Sequence, residues 1–168
     1  MQANGPAQEE EIHIKTVVVG EGAVGKTCMI MSYCQDKFPT SYTPTVFDTY
    51  KGTSKYNKKE VQLQIWDTAG QNDFGRVRPL AYNGCNVFLI CFSLVDRNSF
   101  ETAISNWLPE VTTLGPMCPH ILVGTKADLK EQYEKDPSKK HLCISREEGL
   151  AKAKEHNFFS YQECSAKT

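Results

Sequence analysis

The chain is short of the features that mark several large protein classes. Its longest purely apolar run, Val87 to Phe92, is far below the roughly 20 residues a membrane-spanning helix needs. The opening residues MQANGPAQEEE have neither an apolar stretch nor a basic start, so nothing is expected to span a membrane or direct secretion. Charge of one sign is also lacking: 19 Lys+Arg stand against 20 Asp+Glu, a net charge of −1, and bulk charge gives no case for nucleic-acid binding. The 7 cysteines include no C-x-x-C pair and no grouping with His at zinc-ligand spacing, and an odd number cannot pair completely. Cys91 in VFLICFS, and Cys28 and Cys34 beside Met29 and Tyr33, read as small hydrophobes. Free thiols in a reducing cytosolic compartment are the expectation. No internal repeat or low-complexity region is visible.

What remains is a chain of 168 residues, 40% hydrophobic and 23% charged, enough for one domain with a buried core. Residues 1–11 read as a disordered leader and 12–168 as the domain. Short apolar runs alternate with helical patterns, which predicts an α/β fold with helices on both faces of a mostly parallel sheet. Strands are expected at Ile12–Val19, Phe47–Lys55, Lys59–Asp67, Val87–Ser93, His120–Gly124 and Phe158–Glu163. The second and third are close enough around Tyr56-Asn57-Lys58 to be antiparallel, making the six-stranded sheet mixed. Helices are expected over Gly25–Gln35, over Asn98–Leu114 with a kink at Pro109, and from the S-x-x-E box Ser145–Glu148 to His156. The charged stretch after Asp128, KEQYEKDPSKKHLC in its polar part, reads as a solvated loop or short surface helix.

Gly20 to Thr27 spells G-x-x-x-x-G-K-T directly after a predicted strand and at the start of a predicted helix. That is the context of a phosphate loop. Backbone N–H groups and the helix N-terminus would face a β-phosphate, and Gly20, Gly22 and Gly25 would allow the dihedrals and close approach this needs. Lys26 would neutralise phosphate oxygens, and the Thr27 hydroxyl would be a Mg²⁺ ligand. A Gly-rich turn with a surface Lys is the plainer alternative. The loop is silent about the base, so ATPases and kinases stay open at this point.

Asp67-Thr-Ala-Gly70-Gln71 follows a strand ending in Ile65-Trp66. Asp67 at a strand's carboxyl end can hold Mg²⁺ through water, the Gly70 N–H can approach a γ-phosphate, and Gln71 can orient an attacking water. Thr125-Lys-Ala-Asp128 and Ser165-Ala-Lys167 each follow a further predicted strand, so both would converge beside the phosphate loop. The Asp128 carboxylate can accept from guanine N1–H and N2–H₂, and the Ala166 N–H can donate to O6, a pattern that adenine does not match.

Taken as an ordered set, GEGAVGKT, PTVFDTY, WDTAGQ, TKAD and ECSAKT resemble the nucleotide motifs of the Ras-superfamily small GTPases over Ile12–Thr168. GAVGKTC, YTPTVFD, RVRPLAY and CFSLVD resemble the Rho/Rac family most. The resemblance implies a P-loop NTPase fold and a switch that binds GTP/GDP with Mg²⁺ and hydrolyses GTP slowly. It implies nucleotide contacts from Gly22, Ala23, Val24, Gly25, Lys26, Thr27, Cys28, Phe38, Tyr42, Thr45, Asp67, Gly70, Thr125, Lys126, Asp128, Ser165, Ala166 and Lys167. Thr27 and Thr45 would ligate Mg²⁺ directly and Asp67 through water. Gln71, Lys26, Thr45 and Gly70 would serve catalysis, and Val46, Phe47 and Asp48 would bind effectors.

Exchange factors, GTPase-activating proteins, a dissociation inhibitor and cytoskeletal effectors such as formins or kinases are the implied partners of a monomer, with a role in actin-cytoskeleton signalling. The family also implies a cytoplasmic protein carried to membranes by a prenylated C-terminus. That segment and the C-terminal helix before it are not in this sequence, so an apolar sheet face is expected to be thinly covered. Three departures stand out: Asn72 replaces the usual Glu, Thr49 replaces an Asn that toxins modify, and the segment between Asp128 and Ser165 is shorter, with the inserted helix truncated or absent. Two other readings predict different behaviour. A nucleotide-gated module without hydrolysis would tend to lose Gly22 or Gln71, and a P-loop ATPase or small-molecule kinase has no use for Asp128 and Ala166.

Overall fold

The computed structural model describes residues 11–41 and 43–168. Both the expected leader, apart from Glu11, and Tyr42 lie outside the described residues. Six strands, β1 (Ile12–Gly20), β2 (Phe47–Tyr56), β3 (Lys59–Thr68), β4 (Val87–Ser93), β5 (His120–Thr125) and β6 (Ser160–Glu163), form one sheet in the order β2-β3-β1-β4-β5-β6. Only the β2–β3 pair is antiparallel. Its turn is the two-residue Asn57-Lys58, both at positive φ, which matches the twist of a tight hairpin.

Side-chain alternation divides the core. Val17 and Val19 of β1, with Phe88, Ile90 and Phe92 of β4, face one side. Val18, Cys91 and Val123 face the other. The first side is covered by α2 (Arg97–Thr102), α3 (Leu108–Leu114) and α5 (Arg146–Glu155), the second by α1 (Lys26–Gln35). Beside α1 an apolar groove of about 800 Å³, walled by Val18, Leu63, Leu89, Ile121 and Val123, lies open.

The expected Asn98–Leu114 helix is present as an uninterrupted helical run from Arg97 to Leu114, with its irregularity just ahead of Pro109. A π-turn over Ala103–Trp107 joins α2 to α3, and Pro109 follows it directly, where it has no N–H to give a carbonyl one turn back. The charged stretch begins as a short helix, α4 (Ala127–Glu134), with no buried residue, followed by a 3₁₀ turn at Lys140–Leu142. At α5 the capping box is complete: Glu148 N donates to Ser145 Oγ (3.1 Å) and Ser145 N to the Glu148 carboxylate (2.9 Å). Two 3₁₀ turns, Asn72–Phe74 and Arg78–Ala81, follow β3. The parallel register pairs Val18 with Asp67, Gly20 with Cys91, Ser93 with Thr125 and Gly124 with Glu163. The carboxyl ends of five strands are thereby brought to one edge.

Candidate functional site

At that edge the chain leaves β1 and enters α1 through a loop with Ala23 and Gly25 at positive φ. Gly25, at φ 102°, holds a conformation that a side chain would strain. No side chain caps α1, so the first N–H groups of the helix remain open to an anion. The buried Lys26 arches back over the loop, its Nζ donating to Gly20 O and Glu21 O at 2.7 Å each. Burial lowers its pKa, opposed by the nearby Cys91 and Asp67.

Beside Lys26, Thr27 Oγ1 donates to Asp67 Oδ2 (2.5 Å) and lies 2.6 Å from Thr45 Oγ1. Thr45 Oγ1 is 3.4 Å from the same carboxylate oxygen. Asp67 is wholly buried, and among the described residues its Oδ1 has no hydrogen-bond partner. Burial pushes its carboxyl pKa up, against the hydrogen bond from Thr27 and the charge of Lys26. Two hydroxyls and a buried carboxylate with one oxygen unclaimed form a hard-oxygen donor set, which fits Mg²⁺ with waters and phosphate oxygens completing its shell. Among the described residues there is no group of three or more His, Cys, Asp or Glu that could hold a metal ion by itself, so the donor set here is one carboxylate with two hydroxyls.

Gly70 lies against the phosphate loop. A Cβ there would fall 2.3 Å from Gly22 N and 2.6 Å from Gly20 O, so only glycine fits. A cavity of about 330 Å³ runs from Gly22 and Ala23 past Lys26, Thr27 and Thr45 to Gly70 and Gln71. Gly22 itself is at ordinary φ with open space around its Cα. The dihedral demand expected there falls on Ala23 instead, and Gly22 contributes room.

A second cavity, of about 200 Å³, shares Gly25, Cys28 and Lys126 with the first and is lined further by Phe38, Thr125, Asp128, Ala166 and Lys167. Thr125 Oγ1 donates to the Val24 carbonyl and accompanies Phe92 O at 3.0 Å. Lys126, at φ 62°, sends its Nζ to Ala23 O (2.8 Å). Ser165 Oγ donates to Asp128 Oδ1 (2.8 Å) and accepts from Lys167 N (3.1 Å). Val24 turns its side chain into the core, which leaves its backbone as what it offers the cleft.

The two cavities therefore gather the expected residues of the loop with Thr45, Gly70, Gln71, Phe38, Thr125, Lys126, Asp128, Ala166 and Lys167, while Asp67 lies buried behind Thr27 and Thr45 and Ser165 behind Asp128. Val46, Phe47 and Asp48 stand outside them, exposed at the start of β2, with Phe47 edge-on to Trp66 at 5.1 Å. Sequence reasoning missed the side chains behind Gln71. Arg78, buried, pairs with Glu110 and lies over Trp107. A charged residue in RVRPLAY was a signal of a kind, but nothing in the sequence names a partner 32 positions away.

A mixed, mostly parallel sheet with a phosphate loop, a buried Asp and a TKAD/SAK pair at one edge defines a P-loop nucleotide-binding protein of the small GTPase type. The family model of the Ras family matches residues 15–168, and the chain belongs to that family. It is 46% identical over 156 residues to the Rho-related protein racE of Dictyostelium discoideum, covering 92% of this chain and 70% of that protein. The chain is thus a Rho-type small GTPase, a GTP-hydrolysing switch. Among the described residues no helix is long and apolar enough to cross a membrane.

Proposed function

We propose that residues 12–168 act as one GTP-hydrolysing domain in which the two cavities divide the work. The convergence of Lys26, Thr27 and Thr45 with Asp128 along two adjoining cavities, with the buried Asp67 carboxylate bonded to both threonines from behind, carries this reading. Asp128, held by Ser165, accepts from the guanine N1–H and amino group, and the Ala166 N–H donates to O6. Phe38 packs at the edge of the base, and the stems of Lys126 and Lys167 lie on its faces. The loop N–H groups and Lys26 hold the β- and γ-phosphates. Thr27 and Thr45 would hold Mg²⁺ directly and Asp67 through water. The bound ion supplies neutralisation of charge on the phosphate oxygens.

In hydrolysis Gln71 orients the attacking water, while Lys26 and the Ala23 and Gly70 N–H groups stabilise charge on the transferred phosphoryl. No arginine occurs between Asp36 and Phe47. Turnover is therefore slow until a partner supplies one, a gain of roughly 10³ to 10⁵ in rate. Loss of the γ-phosphate releases Thr45 and the segments around 36–47 and 70–79, and effectors read that change at Val46, Phe47 and Asp48. By resemblance to Rho proteins the regulators are exchange factors, activating proteins and a dissociation inhibitor. The setting is the cytoplasm and, through a lipid anchor, the cytoplasmic face of membranes.

Chromatography of the nucleotide released on denaturing the purified protein tests the base assignment: GDP or GTP supports it, and ADP or ATP would sink it. Chelation of divalent cations tests the metal set. GDP release should accelerate in the parent, and much less so once Thr27 is replaced by Ala.

A further inference from the structure

The buried side chains behind Gln71 form a connected assembly that the division of labour above does not use. Arg78 is only 4% exposed and makes four hydrogen bonds. Nε and Nη2 donate to the two oxygens of Glu110 at 2.8 and 2.9 Å. Nη1 donates to Ala69 O at 2.8 Å and Gln71 O at 3.2 Å. Its guanidinium lies 4.4 Å from the centre of the Trp107 ring, and Tyr82 OH donates to Glu110. Trp107, at the end of the π-turn, donates from Nε1 to Glu21 Oε1 of the phosphate loop at 3.3 Å.

The two carbonyls that Arg78 grips flank Gly70, the residue pressed against the phosphate loop. Besides Arg78, the backbone of Gln71 is held by one long bond, Phe74 N to Gln71 O at 3.3 Å, and its side chain is exposed. A planar guanidinium with a bidentate carboxylate behind it is a rigid fork, and rigid support sets how often a water-orienting side chain is in place. Being buried and committed to these bonds, Arg78 is not available to reach a phosphate itself.

We propose that Arg78, clamped by Glu110 and Trp107, is a positioning residue for hydrolysis: it fixes the Gly70–Gln71 backbone relative to the phosphate loop. This rests on the water-orienting role given to Gln71. Arg78→Lys keeps the charge and loses the fork, and Glu110→Gln replaces one of the accepting oxygens with a donor.

The test is single-turnover hydrolysis of preloaded GTP by the parent, Arg78→Lys, Glu110→Gln, Gln71→Leu and the Gln71→Leu/Arg78→Lys double variant. GDP release and thermal unfolding are followed alongside. Arg78→Lys should slow hydrolysis by roughly 10- to 100-fold, since small misplacements of catalytic groups cost that much, with GDP release changed less than about 3-fold, as for an effect on rate and not on binding. Glu110→Gln should move in the same direction by less, and it carries the test if Arg78→Lys does not fold. The double variant should lose less than the product of the two single losses, because residues acting as a unit are not additive. Gln71→Leu slowed while Arg78→Lys and Glu110→Gln hydrolyse like the parent would overturn the proposal alone, as would losses that simply multiply. Gln71→Leu at the parent's rate would overturn it together with the role of Gln71.

Discussion

The two ends of the cleft are built differently. At the base end, Thr125, Lys126, Asp128 and Ser165 come from the ends of neighbouring strands β5 and β6 and are tied to one another and to the phosphate-loop backbone. At the γ-phosphate end, Thr45 and Gln71 come from exposed segments; Thr45 meets Thr27 and Asp67 through its side chain, and the Gln71 backbone is gripped by Arg78 from behind. A rigid end suits recognition of a part that never changes, the guanine. A loosely tied end suits a part that comes and goes. Affinity and hydrolysis rate should therefore be separable by mutation, and the following substitutions are ordered by the size of effect expected.

Asp128→Ala removes both acceptors for guanine, and GDP affinity should fall by roughly 10³-fold or more, as when a site built to hydrogen-bond its ligand loses the partner. Titration with GDP against ADP checks this, and the preference for guanine should nearly vanish. Gln71→Leu belongs to the other end: hydrolysis should drop by roughly 10²-fold, read by phosphate release in a single turnover. Gly70→Ala forces a methyl group against Gly22 N, and overpacking of this kind costs about 1–3 kcal/mol. A lower unfolding midpoint together with slower hydrolysis is expected.

The smallest effect lies behind the base end, where Arg97 joins Glu148 of α5 at 2.9 Å and donates to His141 O and Cys143 O. The hydrogen bonds from Arg97 pull the Glu148 carboxyl down from 4.5 to about 2. A carboxyl held below its ordinary value stabilises the fold above that value, and this contribution is lost as pH falls from about 5 towards 2. The pair is half-exposed, so its worth is at most about 1 kcal/mol. The unfolding midpoint of Glu148→Gln should lie slightly below that of the parent at pH 7, with the gap narrowing below about pH 5 and closing only towards pH 2, and GDP affinity unchanged.

Much of this was legible in the chain itself. Unbroken apolar runs in VVVG and VFLICFS predict buried strands, and the S-x-x-E box predicts the start of α5, because both are local patterns. The phosphate loop, DTAGQ, TKAD and SAK were readable because strand ends place them at one edge whatever the rest of the chain does. Pro109 marked where the helix is irregular but not that the irregularity is a π-turn over the residues just before it, at whose end Trp107 meets Arg78 and Glu21. The Arg78–Glu110 clamp is non-local, and only the approach of α3 to the 3₁₀ turn Arg78–Ala81 reveals it. Gly70 was read as an N–H donor, and the structure adds that the phosphate loop leaves it no space for a side chain.

The most direct test of the separation between the two ends is GDP release measured beside single-turnover hydrolysis in Gln71→Leu. The account predicts hydrolysis slowed by roughly 10²-fold with release changed less than about 3-fold. Comparable losses in both would contradict it.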